Sequence, residues 1–528
     1  MNTTEGRKPF LISTSLVALG ARSERSIARH ERLYLLFALA IFALFAAYQA
    51  CTVPFWFDEL FTLFISRITS MPEMLRAMPT ADQPPVQYLL THVSIRIFGE
   101  TEFALRLPEL LACMAAGLLT YKIVRRHGSS VQALFALSLL LGALMSFKQA
   151  HTARPYELLI AFTALTFACW QIAALREKNR LLPLCGVALG IAGAILSHHF
   201  GVIHTGLLLG AGETARLIQR RRLDGWMVAA ITAGLSPLAM TLPMMRQSRL
   251  QLGDAILRST NFYGKPSLAD LAGYLLMVAL PLLFLVAAFA FLPWSRENAD
   301  NGASVLLPVP AHEWAAAGAL SLLPPAMMSL AALETGYYLA RYAVSCSLGL
   351  ALLGGWALPR LARLRIIAQP LLALSTLCFL VLIATTLLLE NMSQPIWSAR
   401  PGVAAVSPVL RNAPGDLPIV VASAFEYVPE WWYAPPALKQ RLVYLSDVPY
   451  ALQQTDFLPE LSLIREQGHI PLRTTDYATF IKSHPQFLLL HSGLARFNWT
   501  DSRLASSGWR LSPIASSGRD VLYLVDRP

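Results

Sequence analysis

The chain has 528 residues, 55% of them hydrophobic and only 14% charged, with a mean hydropathy of +0.49. That balance excludes a string of soluble domains and places the chain among polytopic membrane proteins. The net charge of +11 does not point to nucleic acid, because the basic residues sit in short clusters between apolar runs, not in patches interleaved with aromatics.

Residues 1–32 read as a basic cytoplasmic arm carrying Arg7, Lys8, Arg22, Arg25 and Arg29, suited to an anionic lipid surface. Phe10–Ala21 has the look of a signal-peptide core, but cleavage there would oppose the charge pattern downstream. A transmembrane domain follows over 33–390. Runs of ~20 apolar residues, long enough to span, are expected near 33–53, 104–124, 130–149, 156–175, 181–198, 200–218, 226–245, 270–292, 314–333, 338–358 and 366–389, about eleven helices in all. The clusters KIVRRH (122–127), REKNR (176–180), QRRR (219–222) and RLARLR (360–365) fall on alternate loops, on one side with the basic arm. The positive-inside rule then puts the N-terminus in the cytoplasm and the first outer loop, 54–103, outside.

After the last run the composition changes. Residues 391–528 alternate short β-rich runs (PIVVAS, RLVYLS, QFLLLHS, DVLYLV) with polar helical stretches, which predicts a small C-terminal extracytoplasmic α/β domain. It holds no phosphate-loop or dinucleotide motif. Trp431, Trp432 and Tyr433 could stack on a sugar or serve as core. The six cysteines lie within or beside apolar runs, so neither a disulfide framework nor a CxxC metal site is implied.

With this topology the polar residues at the outer ends of the spans collect on one side. Asp58 and Glu59 follow the first span and Arg106 opens the second. Arg154 and Tyr156 lie in HTARPYELL, His198 and His199 in SHHFG, and Arg341 and Tyr342 in GYYLARY. A further outer loop carries Arg246, Arg249, Arg258 and Lys265 against Asp254 alone. Ionisable residues at membrane depth are costly and mark functional sites, and arginines around a carboxylate pair suit an anionic substrate. Each residue also has a structural reading. Asp58 and Glu59 could favour a helix start through its dipole, Arg106 could snorkel, and the histidines could be satisfied polar groups at a span end. Adjacent acids diverge by ~100° on a helix, so at most one of the pair faces a substrate. No ligand spacing such as HxxxH marks a metal site, which leaves a divalent metal ion open as a cofactor without identifying its ligands.

An outer-face enzyme has no reliable supply of nucleotide-activated donor, so the donor must arrive with its energy built in. A sugar on a polyprenyl phosphate meets that need, with a carboxylate as general base for the acceptor hydroxyl and cations stabilising the leaving phosphate. Direct displacement inverts the anomeric centre, by analogy with inverting glycosidases.

WFDELFT, then DQPPVQYLLTHVSIRIFGETEFALRLPELL, then ARPYELL resembles the bacterial membrane glycosyltransferases of the GT-C superfamily, near the protein O-mannosyltransferase and lipid A aminoarabinose transferase relatives. The resemblance is closest between Trp56 and Tyr156. It implies a multi-span fold whose first outer loop carries short helices on the membrane, and an undecaprenyl-phosphate monosaccharide donor. It maps the catalytic Asp onto Asp58, the second acid of the motif onto Glu59, and a donor-phosphate contact onto Arg341. Gln83 stands where the aminoarabinose transferases have a lysine, which argues against that donor sugar. The expected acceptor is an envelope lipid, glycan or protein, and the expected location the bacterial inner membrane. Asp58 and Glu59 are the catalytic candidates; Arg154, Tyr156, Arg341, Tyr342, Arg106, His199 and Lys265 are the donor-binding candidates. The rival readings are a transporter or flippase of lipid-linked sugar, which should show inverted repeats or interrupted helices, and a non-catalytic scaffold.

Overall fold

The computed structural model describes residues 22, 25–78, 83–252, 267–269, 271–272, 308–335, 338–362, 406–455, 459–472, 474–491 and 498–527. The spans expected at 366–389 and over most of 270–292 lie outside these residues, as do Asp82, Asp254, Arg258, Lys265 and Cys378.

The chain enters through α1 (Glu31–Thr52), which keeps much of its surface exposed. The segment that follows α1 then forms three short helices, α2 (Phe57–Ser66), α3 (Met71–Ala77) and α4 (Pro85–Phe98). Pro84 and Pro85 start α4, where a fixed φ and a missing N–H cost nothing, and Gly99 ends it at φ +80°, a left-handed value that favours glycine. Leu90, Val93, Ile97 and Phe98 remain exposed along α4, as expected of a helix lying on a bilayer.

Next come α5 (Glu102–Arg125), α6 (Ser130–Gly142), α7 (Leu144–Ala150), α8 (Tyr156–Leu175), α9 (Leu181–Ser197), α10 (Gly201–Arg220), α11 (Gly225–Leu235) and α12 (Leu238–Leu252). Thr101 caps α5 by accepting from the Ala104 amide at 3.2 Å. Ser129 and Gln132 form a capping box at the start of α6. The described bundle closes with α13 (Ala311–Ser321), α14 (Leu323–Leu330) and α15 (Cys346–Ala362), the last entered through a 3₁₀ turn at Ala340–Ala343.

The run at 130–149 divides at Ala143, and 314–333 bends by 50° between α13 and α14, where Pro324 and Pro325 follow Leu322. Helices α5 and α8 run through the centre, packed on each other and on α6 and α9. Polar pairs tie the ends remote from Asp58. Glu31 is bonded to Tyr121, Arg125 and Ser130, while Glu313 of α13 accepts from Gln171 at 2.6 Å and pairs with His127 at 3.0 Å. The described cysteines are free thiols.

Residues 406–527 build a six-stranded sheet in the order β3-β2-β1-β4-β6-β5. The strands are β1 (Ile419–Val421), β2 (Leu442–Ser446), β3 (Thr474–Asp476), β4 (Gln486–His491), β5 (Arg510–Ser517) and β6 (Asp520–Asp526). Strands β1 to β4 are parallel, with helical crossovers, and β6 and β5 complete the edge as an antiparallel hairpin. The four β-rich runs seen in the sequence are β1, β2, β4 and β6. Strands β3 and β5 escaped notice because β3 has three polar residues and β5 is mostly exposed, so neither shows the apolar alternation that reveals a strand.

Candidate active site

The site is built on the first turn of α2. Glu59 points inward and is fully buried, accepting both Arg106 Nε at 2.7 Å and Arg106 Nη2 at 2.6 Å. The same guanidinium donates to the carbonyls of Ala50, Val53 and Pro54 at the end of α1. Glu59 also accepts the amides of Trp56 at 3.3 Å and Ala153 at 2.8 Å. A buried ion pair this fully hydrogen-bonded holds four segments together: the end of α1, the start of α2, the start of α5 and the turn before α8.

Asp58, one residue earlier, points the other way. Its Oδ2 lies 3.7 Å from Arg154 Nε and 3.8 Å from Arg341 Nη2, with side-chain exposures of 21%, 14% and 28% against 1% for both Glu59 and Arg106. Charge-assisted N–H···O bonds run at ~2.7–2.9 Å, so the carboxylate and the two guanidinium groups face one another at more than hydrogen-bond distance, in a partly exposed cluster.

Each arginine is held by its backbone. The Arg154 turn is stapled on one side by Glu59 and by Thr62 of α2, whose hydroxyl donates to the Ala153 carbonyl at 3.2 Å. On the other side Glu109 of α5 accepts the amides of Glu157 at 3.0 Å and Leu158 at 3.2 Å, satisfying orphan donors at the start of α8. Arg341 sits on the 3₁₀ turn with its guanidinium 5.8 Å from the centre of the Tyr156 ring. That turn is pinned by His204 of α10, which bonds the Tyr342 carbonyl and the Ser345 hydroxyl, both at 2.8 Å.

Tyr156 is buried and packs 5.5 Å from the His198 ring, and His198 and Phe200 pack in turn on Tyr342. Tyr156 and Tyr342 thus form a platform beneath the arginines. His199 is half-buried on the same turn as His198. A Cβ on Gly201 would meet the Ala194 carbonyl at 2.2 Å, so the sharp turn from α9 to α10 requires glycine there. Glu109, Thr62 and His204 were not singled out in the sequence, although an acid or histidine within an apolar run was available as a signal.

The C-terminal domain packs on the other face of α2. Tyr433, at the end of α16 (Ala424–Tyr433), donates to Glu102 and accepts from the Phe55 amide, both at 2.7 Å. Trp431 and Trp432 pack edge-on against Phe64, and Phe425 against Phe57. These aromatics join the interface and fix α2 from above. Among the described residues no three His, Cys, Asp or Glu come together as a metal site.

The architecture resembles two solved structures. ArnT from Cupriavidus metallidurans in the apo state superposes with a TM-score of 0.59 at 13% identity, covering 94% of this chain and 98% of that one. The same protein bound to undecaprenyl phosphate gives 0.55 at 15% identity, covering 93% and 97%. The chain therefore shares its fold with these ArnT structures. Residues 82–238 match the family described as dolichyl-phosphate-mannose-protein mannosyltransferase. No curated protein sequence matches the chain. The matched segment contains Arg106, Glu109, Arg154, Tyr156, His198 and His204, and Asp58 lies upstream of it.

Proposed function

We propose that the protein transfers a sugar from a polyprenyl-phosphate monosaccharide to an acceptor hydroxyl at the outer face of the bacterial inner membrane, with inversion. The observation that carries this reading is Asp58 facing Arg154 and Arg341 across a partly open gap. The two guanidinium groups take the donor phosphate, for which arginine's planar fork is suited. They stabilise the charge that grows on it as the glycosidic bond breaks. Asp58 accepts the proton of the incoming hydroxyl as the new bond forms. Glu59 and Arg106, spent on each other, act as positioning residues, while Tyr156 and Tyr342 support the arginines. His199, on the turn beside the platform, is a further substrate-binding candidate. Undecaprenyl phosphate, the ligand in one ArnT structure, is the natural carrier to test, and an envelope lipid, glycan or protein the acceptor class.

The test uses the full chain in liposomes with a radiolabelled polyprenyl-phosphate sugar and an envelope extract. Label moving to an acceptor, with free polyprenyl phosphate inhibiting competitively, is expected. No transfer from any such donor, together with passage of intact lipid-linked sugar across the bilayer, would replace this reading with the flippase.

A further inference from the structure

Far from Asp58, a second feature runs along the bundle. Helices α10 and α11 both pack on α9 and diverge from one another, leaving a groove of about 460 Å³, within the ~300–1,000 Å³ range of ligand pockets. Its walls are apolar: Ile191 at the base, Val202 and Leu209 on α10, Met227, Ile231 and Leu235 on α11. It extends from Val202 near the active-site end to Arg222 at the opposite end, where Arg216, Arg220, Arg222, Glu213 and Asp224 line it.

Two facts separate this groove from ordinary lipid-facing surface. The α10 wall is cut back at Gly206 and Gly210, one helical turn apart, and a Cβ at either would have nothing within 4 Å. At the charged end both acids are already neutralised. Asp224 is bonded by Arg180 and Arg216, and Glu213 by Arg216 and by Trp170 Nε1. Arg216 is buried, and its Nε is without a hydrogen-bond partner among the described residues. Arg220 gives one bond to the Ala174 carbonyl, and Arg220 and Arg222 are exposed. An apolar slot ending in surplus arginine at a membrane boundary has the chemistry of a lipid with an anionic headgroup.

We propose that this groove binds one anionic phospholipid of the leaflet opposite the active site, its acyl chain against Gly206 and Gly210 and its phosphate at Arg220 and Arg222. Assigning that leaflet to the cytoplasm rests on the orientation in the proposed function; the binding itself does not. The site is distinct from the Asp58 gap, so its occupancy can be read without measuring transfer.

The experiment is native mass spectrometry of the detergent-purified full chain, titrated with phosphatidylglycerol, phosphatidylcholine or undecaprenyl phosphate. Wild type should retain one phosphatidylglycerol in preference to phosphatidylcholine. The double variant Arg220→Gln/Arg222→Gln should weaken that binding by at least about tenfold. Gly206→Leu, whose side chain enters open space, should abolish it without lowering the unfolding temperature. Equal retention of both phospholipids would overturn the headgroup site, as would wild-type retention of phosphatidylglycerol by the Arg220→Gln/Arg222→Gln variant. A Gly206→Leu chain that melts earlier would show that the groove is filled by protein, and would also overturn the proposal.

Discussion

Asp58 and Glu59 are neighbours in sequence, yet one is buried against Arg106 and the other faces two arginines across a gap. Helical geometry sends adjacent side chains ~100° apart, and the apolar face of α2 decides which one is buried. Removing one partner of a buried, hydrogen-bonded pair leaves a bare charge inside the protein. Arg106→Leu should therefore cost ~3–5 kcal/mol of stability, read as a large fall in unfolding temperature, whereas Asp58→Asn should leave that temperature unchanged. The candidate residues were legible one by one, as charged side chains at the outer ends of apolar runs. What one sequence withheld was pairing: nothing in the string says that Arg106 belongs to Glu59, and Arg154 and Arg341 to Asp58. Those partners lie 47, 96 and 283 positions apart, and only the packed bundle brings them together.

At the scale of elements, the site depends on helix ends more than on helices. Glu109 caps α8 and so anchors the turn that presents Arg154. Losing a cap costs ~0.5–2 kcal/mol. Glu109→Ala should lower stability by that amount and raise the donor KM more than it lowers kcat, and Glu109→Gln, which keeps an acceptor, should recover most of both. The C-terminal domain carries its own pH dependence. Glu430 on α16 accepts the Ser407 amide, but burial, helped by Asp520 and Glu426, raises its pKa from 4.5 to about 8. A raised carboxyl pKa means that the folded form holds a proton that the unfolded chain has released. Stability thus falls as pH rises through the window from 4.5 to about 8. Glu430→Gln should flatten that slope in pH-dependent unfolding of the full chain. Long spans were readable from hydropathy alone. The breaks at Ala143 and Leu322 were not, because a break inside an apolar run changes backbone direction without changing composition.

Across the whole molecule, the basic loops and the Asp58 site occupy opposite ends of the bundle. Helices α5, α8 and α10 each begin beside the site and end in or beside arginine. The positive-inside rule turns that polarity into an orientation. In a cysteine-free background, Lys482→Cys on the exposed surface of the C-terminal domain should react with an impermeant thiol reagent in intact cells. Arg222→Cys should react only after permeabilisation. The fold class was legible because a bilayer constrains composition so strongly. The docking of the C-terminal domain was not, since Trp431, Trp432 and Tyr433 look the same in a string whether they meet a sugar or α2.

The central claim is that Asp58 removes the acceptor proton while Arg154 and Arg341 hold the donor phosphate. The most direct measurement compares wild type and Asp58→Asn in the liposome transfer assay, with donor binding measured in parallel. Loss of a general base costs ~10²–10⁴-fold in rate, so kcat should fall by that factor while donor affinity and unfolding temperature stay close to wild type. An Asp58→Asn protein that transfers sugar at the wild-type rate would contradict the account and leave Asp58 a structural counter-ion to its two arginines.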